Sequence, residues 1–400
     1  MVRGPDANVL RYRWHTRAAG ALFWVPTIVL YFIDQVGLAR ALQVQALYYA
    51  SVVLFEVPSG WFSDRVGRVT TLRFTATAWI VAFACFLAGG LGPIIAGQVL
   101  LALGYASLSG TDVTFLYETL DADGRGSSFE AEEARAREGS LYLSASSALA
   151  GGLLGLIDLR LPFLAALLVA VAQFAIVSRM DEPPRAAVAA AGWRRDAAAV
   201  VGHIRSRALA WVALYVVAEI VLIHLASELA SPYAAEALDR PVDDPAGAAV
   251  IAGVLVAAAA LTGAAALRLY ARVRDRISTL GVLVGACFVS AVIVVVMAAG
   301  FVVWVLPVVA LRGVQASVTT VAVPAVVGRR VESQRRATTL SVMSLLGRGS
   351  YAGVLLLISL VAGEELAQAL DVAAVIAVAT AVTVAAAAFV TRPDLDRSVG

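Results

Sequence analysis

The sequence predicts an all-α membrane protein with twelve transmembrane helices in two pseudo-symmetric six-helix bundles. Three observations carry the prediction. The 400 residues are 60% hydrophobic and only 15% charged, where a soluble chain carries about a quarter charged residues. Apolar runs of about 20 residues, the length that crosses the hydrocarbon layer, recur along the whole chain. Arginine falls almost entirely on one side of the topology those runs define.

The chain opens on Arg3, Arg11, Arg13 and Arg17, followed by span one at 18–38. That run is too long for the apolar part of a signal peptide and many more spans follow it, so it reads as a transmembrane helix. Spans two to six are expected at 42–62, 70–91, 93–119, 139–158 and 161–180. Spans seven to twelve are expected at 207–229, 246–268, 278–299, 301–327, 338–362 and 367–391. None alternates in the manner of a strand, and only helices or closed barrels satisfy their backbone in lipid.

Every basic residue is Arg, and with a cytoplasmic N-terminus all but five of the 31 fall in inside segments. Arg40, Arg160 and Arg240 lie in outside loops, and Arg312 and Arg348 lie within spans. This bias places both termini in the cytoplasm and the multi-pass chain in the inner or plasma membrane. Residues 1–180 form the N-terminal bundle, 181–206 a cytoplasmic linker and 207–400 the C-terminal bundle. Pro183 and Pro184 end span six, and Trp193, Arg194 and Arg195 suggest an amphipathic stretch on the membrane surface. The basic stretch GWFSDRVGR, 60–68, and its counterpart at 268–276 take matching places in the two halves, the sign of a parallel repeat. The charged segment 120–138 reads as a solvated helical lid over span five.

Several function classes are excluded by composition. A net charge of +2 is too small to suggest nucleic acid. Cys85 and Cys287 sit far apart inside apolar runs and read as packing, not as a disulfide. The sequence has no Walker loop, HExxH or Cys cluster, and its three His are scattered. An enzyme, a cofactor or a metal site is therefore not expected.

Charges inside spans mark the candidate site, because a charge at mid-bilayer costs about 2.5–3.5 kcal/mol on insertion scales. Helical spacing groups them into stripes. Thr27, Tyr31 and Asp34 share a face of span one, and Tyr105, Ser109 and Asp112 a face of span four. Glu219 lies in span seven. Arg312, Gln315 and Thr319 line span ten, and Ser341, Ser344, Arg348 and Tyr351 line span eleven. Asp112 is the first candidate for a coupling proton, with Asp34 and Glu219 behind it. The alternative for Asp112 is a permanent ion pair with Arg312 or Arg348. Thr27, Tyr31, Tyr105, Ser109, Arg312, Gln315, Arg348 and Tyr351 are candidates for a substrate cavity, Arg312 meeting an anionic or polar group. Glu56 reads as structural, and His224 with Glu228 as a surface pair. Small residues at 144–152 and at 257–266 mark packing seams that permit close backbone approach. Pro26, Pro307 and Pro324 are expected to kink their helices.

Two six-helix halves, an inside linker and GWFSDRVGR after span two resemble the major facilitator superfamily. Its loop signature, roughly Gly-x-x-x-Asp-Arg-x-Gly-Arg, is filled here by Gly60, Asp64, Arg65, Gly67 and Arg68. The stretches 56–60, 109–118 and 336–341 resemble a bacterial, drug-efflux-like branch. Two positions depart from that branch: 147–152 reads SALAGG in place of Gly-Pro-x-x-Gly-Gly, and Leu100 stands where an Arg often precedes the glycine. The resemblance implies two bundles around a midplane cavity faced by spans one, four, seven and ten. It also implies an inside gate latch, with Asp64 near the start of span eleven, at 336–339, and Arg68 paired with Glu118. The function implied is proton-coupled export of an amphipathic compound by alternating access. Proton-coupled uptake of a polar metabolite such as an organic acid or sugar stays open, as does a non-transporting sensor or assembly partner. The expected partners are a small-molecule substrate, protons and the lipid bilayer, with no nucleic acid and a monomer as the working unit.

Overall fold

A computed structural model describes residues 5–184, 206–238, 246–273 and 276–396. The described residues are helical, with no strand among them. Nine of their helical segments are long and apolar enough to cross a membrane, and these coincide with spans two to four and seven to twelve. Spans one, five and six fall short for local reasons: span one is broken, span five starts with a charged stretch, and span six is a 17-residue helix. The chain divides into two compact units, Met1–Val188 with Val242–Val254, and Ala189–Pro241 with Leu255–Gly400. The amphipathic stretch expected around Trp193, Arg194 and Arg195, the outside Arg240 and positions 274–275 of the second basic loop lie outside the described residues.

The first unit contains α1 (Pro5–Ala19), α2 (Ile28–Val36), α3 (Leu38–Val66), α4 (Arg68–Ala88), α5 (Leu91–Leu108), α6 (Thr111–Ala122), α7 (Phe129–Gly155) and α8 (Leu161–Val177). One part of its core packs Tyr12, Leu72, Phe115, Leu116, Leu120 and Val177 together. Another stacks Tyr31, Phe32, Phe86 and Phe163 with ring centroids 4.8–6.1 Å apart.

Four expectations for this unit are corrected. Span one, expected at 18–38, is not a single helix: α1 ends at Ala19, turns run over 20–27, and α2 covers only Ile28–Val36. Pro26 has no amide to donate, and the Leu22 amide goes to Ser147 Oγ at 2.8 Å instead of to its own helix. Span four breaks at Ser109–Gly110, where Gly110 adopts φ +75°, so Tyr105, Ser109 and Asp112 do not share one continuous helix face. GWFSDRVGR is not a loop: α3 runs to Val66, Gly67 alone joins the helices at φ +114°, and α4 begins at Arg68. The conformational freedom needed there belongs to Gly67. Gly60 sits within α3 with open space beside it, so it mediates no close helix approach. Finally, 120–138 is largely exposed and in part helical, as expected of a solvated segment, but it is not a separate lid over span five. After a short turn at Gly126–Ser128 it becomes the start of α7, with Glu132 and Ala136 buried.

The second unit contains α9 (Arg207–Glu228), α10 (Ala230–Ala237), α11 (Ala246–Val273), α12 (Thr279–Ala298), α13 (Arg312–Gly328), α14 (Ser333–Ala362) and α15 (Leu366–Thr391). The first turns of α11 belong to the first unit, where Gly253 lies against the Ala148 carbonyl and Gly152 against that of Ala249. The small residues of 144–152 do permit a close approach, and the residues they meet are 249–253. Those of 257–266 pack on α13 and the turn before it, where Gly313 lies against the Ala259 carbonyl and Thr262 Oγ1 donates to the Ala310 carbonyl at 2.6 Å. Span ten is interrupted at 310–311, after a single turn containing Pro307, so Arg312 opens α13. Pro324 lies inside α13 without breaking it.

Two helix N-termini are closed in a similar way. Just past α8, the Glu182 carboxylate accepts from the Arg68 and Val69 amides at 2.7 and 2.9 Å, capping α4. Just past α15, Asp396 accepts from the Thr279 amide at 3.3 Å and from its hydroxyl, capping α12. In each half, an acid that follows the sixth span closes the N-terminus of the third, satisfying amides that have no partner within their own helix.

Candidate functional site

Asp112 lies in the first turn of α6, placed there by the break at Gly110, and only 5% of it is exposed. Its Oδ1 accepts from the Val113 amide at 2.8 Å, and its Oδ2 accepts from Arg137 Nη2 at 3.2 Å. The sequence offered Arg312 or Arg348 as its ion-pair partner; the partner present is Arg137 on α7. Arg137 Nε reaches Glu133 at 2.7 Å, and the other oxygen of Glu133 accepts from the Tyr12 hydroxyl. Glu132 pairs with Arg13 and, at 3.0 Å, with Arg135. The network ties α1, α6 and α7 together. Burial, followed by the charges of Asp112 and Glu133, raises the Tyr12 phenol well above its usual range, so it remains a donor. His15, fully buried beside it on α1, is held to Gln173 at 3.1 Å. Burial and then the Arg137 charge lower its pKa to about 4, so it is neutral at physiological pH.

The signature residues form a second charged group. Arg68 donates to Asp64 at 2.7 Å, to Ser63 Oγ at 3.0 Å and to Glu118 at 3.1 Å. The pairing of Arg68 with Glu118 is therefore present. Arg65 lies exposed, with its guanidinium 3.9 Å over the Trp61 ring. Glu56 accepts from Ser109 Oγ at 3.1 Å, which spends that hydroxyl on an intramolecular contact.

The span-one candidates separate. Thr27 is buried at the start of α2, and its hydroxyl donates to the Trp24 carbonyl at 3.2 Å. Tyr31 is buried in the aromatic core and donates to the Phe86 carbonyl. Asp34 is exposed beside Gln35, at 2.8 Å. Tyr105 is half-buried, 4.9 Å from the Trp79 ring, and lines a small cavity with Trp24, Phe83 and Gln173.

In the second unit the polar stripe runs along α9 and α13. The Tyr215 hydroxyl and Thr319 Oγ1 are 2.9 Å apart. Gln315 is fully buried beside Tyr215, yet neither end of its carboxamide makes a hydrogen bond of normal geometry among the described residues. Arg312 is 7% exposed, and its Nη1 is buried with no acceptor among the described residues. Glu219, one turn beyond Tyr215, has no hydrogen bond or ion pair among the described residues. Further along, His224 contacts the Ile220 carbonyl at 2.7 Å and faces the Tyr351 ring at 5.2 Å. Arg348 is half-buried and close enough for its charge to act on His224. Glu228 is buried and His224 half-buried, so the surface pair expected of them is not a surface feature.

Sequence reading missed Tyr12, Glu133, Arg137, Tyr215 and Glu182. The spacing of Glu133 and Arg137, four apart on a helix, was an available signal. Tyr215, four before Glu219, was another.

A bilayer-spanning helical fold with polar stripes buried inside it defines a membrane transporter, not an enzyme. Residues 18–355 match the family model described as Major Facilitator Superfamily, and the chain belongs to that superfamily. No curated protein matches it. Among solved structures it is similar to a mutant of the nucleoside transporter NupG, at 13% identity and a TM-score of 0.78, over 95% of this chain and 99% of that one. It is similar to an auto-inhibited POT family peptide transporter, at 13% identity and 0.69, over 96% of each chain. It is also similar to a D-xylose-proton symporter, at 10% identity and 0.70, over 98% of this chain and 100% of that one. At these identities the likeness is one of fold.

Proposed function

We propose that the chain is a secondary active transporter that moves a small polar molecule by alternating access, coupled to protons. The observation that carries this reading is the pair Arg312 and Gln315, buried in span ten with polar atoms that make no hydrogen bond of normal geometry among the described residues. A buried donor or acceptor left unmade costs about 1–3 kcal/mol, and the guanidinium adds the cost of a charge at depth. A substrate oxygen offsets both, and the planar donor fork of Arg suits a carboxylate or a similar group. This favours uptake of a polar metabolite such as an organic acid or sugar. Proteins of similar fold that transport nucleosides, peptides and D-xylose agree with polar cargo.

Export of an amphipathic compound is the second reading, favoured by the aromatic walls of Trp24, Trp79, Phe83 and Tyr105 around the first unit's cavity. Glu219 is the proposed proton carrier, since a carboxyl with no fixed counter-charge exchanges a proton without breaking an ion pair. Asp112, held by Arg137, is proposed as a structural pair, and Asp34 as a solvated helix end. Asp64, Arg68 and Glu118, with Gly60, Arg65 and Gly67 around them, are proposed as the inside gate latch. Arg placement supports cytoplasmic termini in the cell membrane, and the superfamily's usual working unit is a monomer.

The test is a ΔpH dye in proteoliposomes challenged with organic acids, sugars and amphipathic cations. Substrate-dependent proton flux lost in Glu219→Gln but kept in Asp112→Asn supports the assignment. Flux lost only in Asp112→Asn reverses it, and ligand binding without any flux points to a sensor. Transport and accessibility unchanged in Asp64→Asn would remove the latch.

A further inference from the structure

Span one breaks after Ala19, and the break leaves main-chain oxygens unused. The carbonyls of Ala19 and Ala21 accept no hydrogen bond among the described residues. Both residues line a cavity of the first unit, bounded by the end of α1, the turns after it, α4, α5 and α8. Trp24, Trp79, Tyr105 and Gln173 complete the part of the wall that matters here. In this conformation the cavity encloses about 20 Å³, room for one water-sized guest.

The polar groups of that wall are sorted by kind. Three donors are spent: the Leu22 amide on Ser147 Oγ at 2.8 Å, Gln173 Nε2 on His15 Nδ1 at 3.1 Å and Trp79 Nε1 on the Leu101 carbonyl at 3.3 Å. The acceptors are left over. Gln173 is 1% exposed, and with its Nε2 turned to His15 its Oε1 is buried and makes no hydrogen bond among the described residues. The Tyr105 hydroxyl makes none there either. No charged side chain lines the cavity, and His15 behind Gln173 is neutral at physiological pH. The C-terminal end of α1 contributes the negative end of a helix dipole, and indole rings such as those of Trp24 and Trp79 attract cations. We propose that this cavity is a site for one monovalent cation of sodium's size, held by Gln173 Oε1, the Ala19 and Ala21 carbonyls and the Tyr105 hydroxyl. Neutral oxygens set the valence, since divalent ions are held by carboxylates and none lines the cavity. Carbonyls freed where a membrane helix breaks are suited to Na⁺. The ion ties the end of α1 to α8 through Gln173, so sodium acts on the break in span one. The site belongs to the first unit and depends neither on the polar stripe of the second nor on which group carries the proton.

The experiment measures binding of radiolabelled Na⁺ to the full chain in detergent by scintillation proximity, with choline chloride holding the ionic strength constant. Saturable binding, displaced by unlabelled NaCl and not by choline, is expected. Gln173→Leu should raise the half-saturating Na⁺ by about tenfold or more, the scale of one lost buried acceptor. Tyr105→Phe removes a hydroxyl that holds nothing else in the fold and should raise it severalfold. Where Gln173→Leu fails to fold, Tyr105→Phe alone decides. Glu219→Gln should bind Na⁺ as wild type does. Absence of saturable binding, or an affinity unchanged in the first-unit variants, leaves the cavity to water and overturns the proposal. Binding lost in Glu219→Gln moves the ion to the second unit and overturns it as well. Proton flux plays no part in this readout, so it stands or falls apart from the transport reading.

Discussion

The backbone amide of Arg68 donates to Glu182 at 2.7 Å, while its guanidinium holds Asp64 and Glu118. One residue thus joins the end of span two, the start of span three, span four and the segment after span six. The carboxylate of Glu182 sits where the helix dipole is positive and where free amides collect. Glu182→Ala should lower stability by about 1 kcal/mol, the typical worth of a capping side chain. Asp396→Ala should do the same to the second unit, because it caps α12 in the same manner. Thermal melts in detergent check both. An unchanged midpoint for both variants would mean that water replaces the cap without cost.

Arg137 and Asp112 make a testable pair of opposite charges. The Asp112 side chain is 7% exposed, and that of Arg137 51%. Removing a buried acid's partner leaves its charge uncompensated, at about 3–5 kcal/mol when both partners are buried. With Arg137 half in solvent, Arg137→Gln should cost about 2 kcal/mol, below that range because screening is stronger. The double variant Arg137→Gln with Asp112→Asn should recover part of the loss. A double-mutant cycle reads the coupling directly. A coupling near zero would show that Asp112 does not depend on Arg137 and would return it to the proton-carrier role.

How much of this was legible in the sequence follows from what lipid demands. Long apolar runs and one-sided Arg are requirements of the bilayer, so the helical fold and most span positions could be read. The helix breaks could not, because tertiary partners make them: the Leu22 amide leaves its helix for a hydroxyl 125 residues away, at Ser147. Arg312 and Gln315 were legible as charges and amides with no reason to be in a membrane. Arg137 was not, because it sits in a segment whose composition looks solvated and meets Asp112 only through the packing of α6 on α7. Glu182 was hidden in a similar way, since a cap supplied from 114 residues away has no local pattern.

His15 supplies a pH-dependent prediction. Its pKa falls from 6.5 to about 4 in the fold, through burial first and the Arg137 charge second. The unfolded chain therefore binds the proton more readily between those values, and stability declines as pH drops through that window. The full contribution is present above about 6.5 and reaches a loss of about 3 kcal/mol near pH 4, at 1.36 kcal/mol per pKa unit. His15→Gln keeps a polar group opposite Gln173 but cannot take up the proton. Its melting temperature should fall less than that of wild type between neutral and mildly acidic buffer. Parallel declines in the two proteins would show that other groups control the acid response.

The two signature glycines should behave oppositely. Gly67 holds φ +114° and ψ 154°, a region that is essentially glycine-only and costs about 1–3 kcal/mol for other residues. It has to be there because α3 and α4 meet with a single residue between them, and the Arg68 amide must still face Glu182. Gly67→Ala should therefore destabilise by that amount and loosen the Arg68 pairs with it. Gly60 is ordinary helix with nothing within 4 Å of a built Cβ. Gly60→Ala should stabilise by about 0.5–1 kcal/mol, since alanine loses less backbone entropy in a helix. Melts of the two variants measure the sign. If Gly60→Ala stabilises the chain while slowing transport, the glycine serves a conformation of the cycle other than the one described. If it stabilises without any effect on flux, Gly60 takes no part in the latch, which then rests on Asp64, Gly67, Arg68 and Glu118.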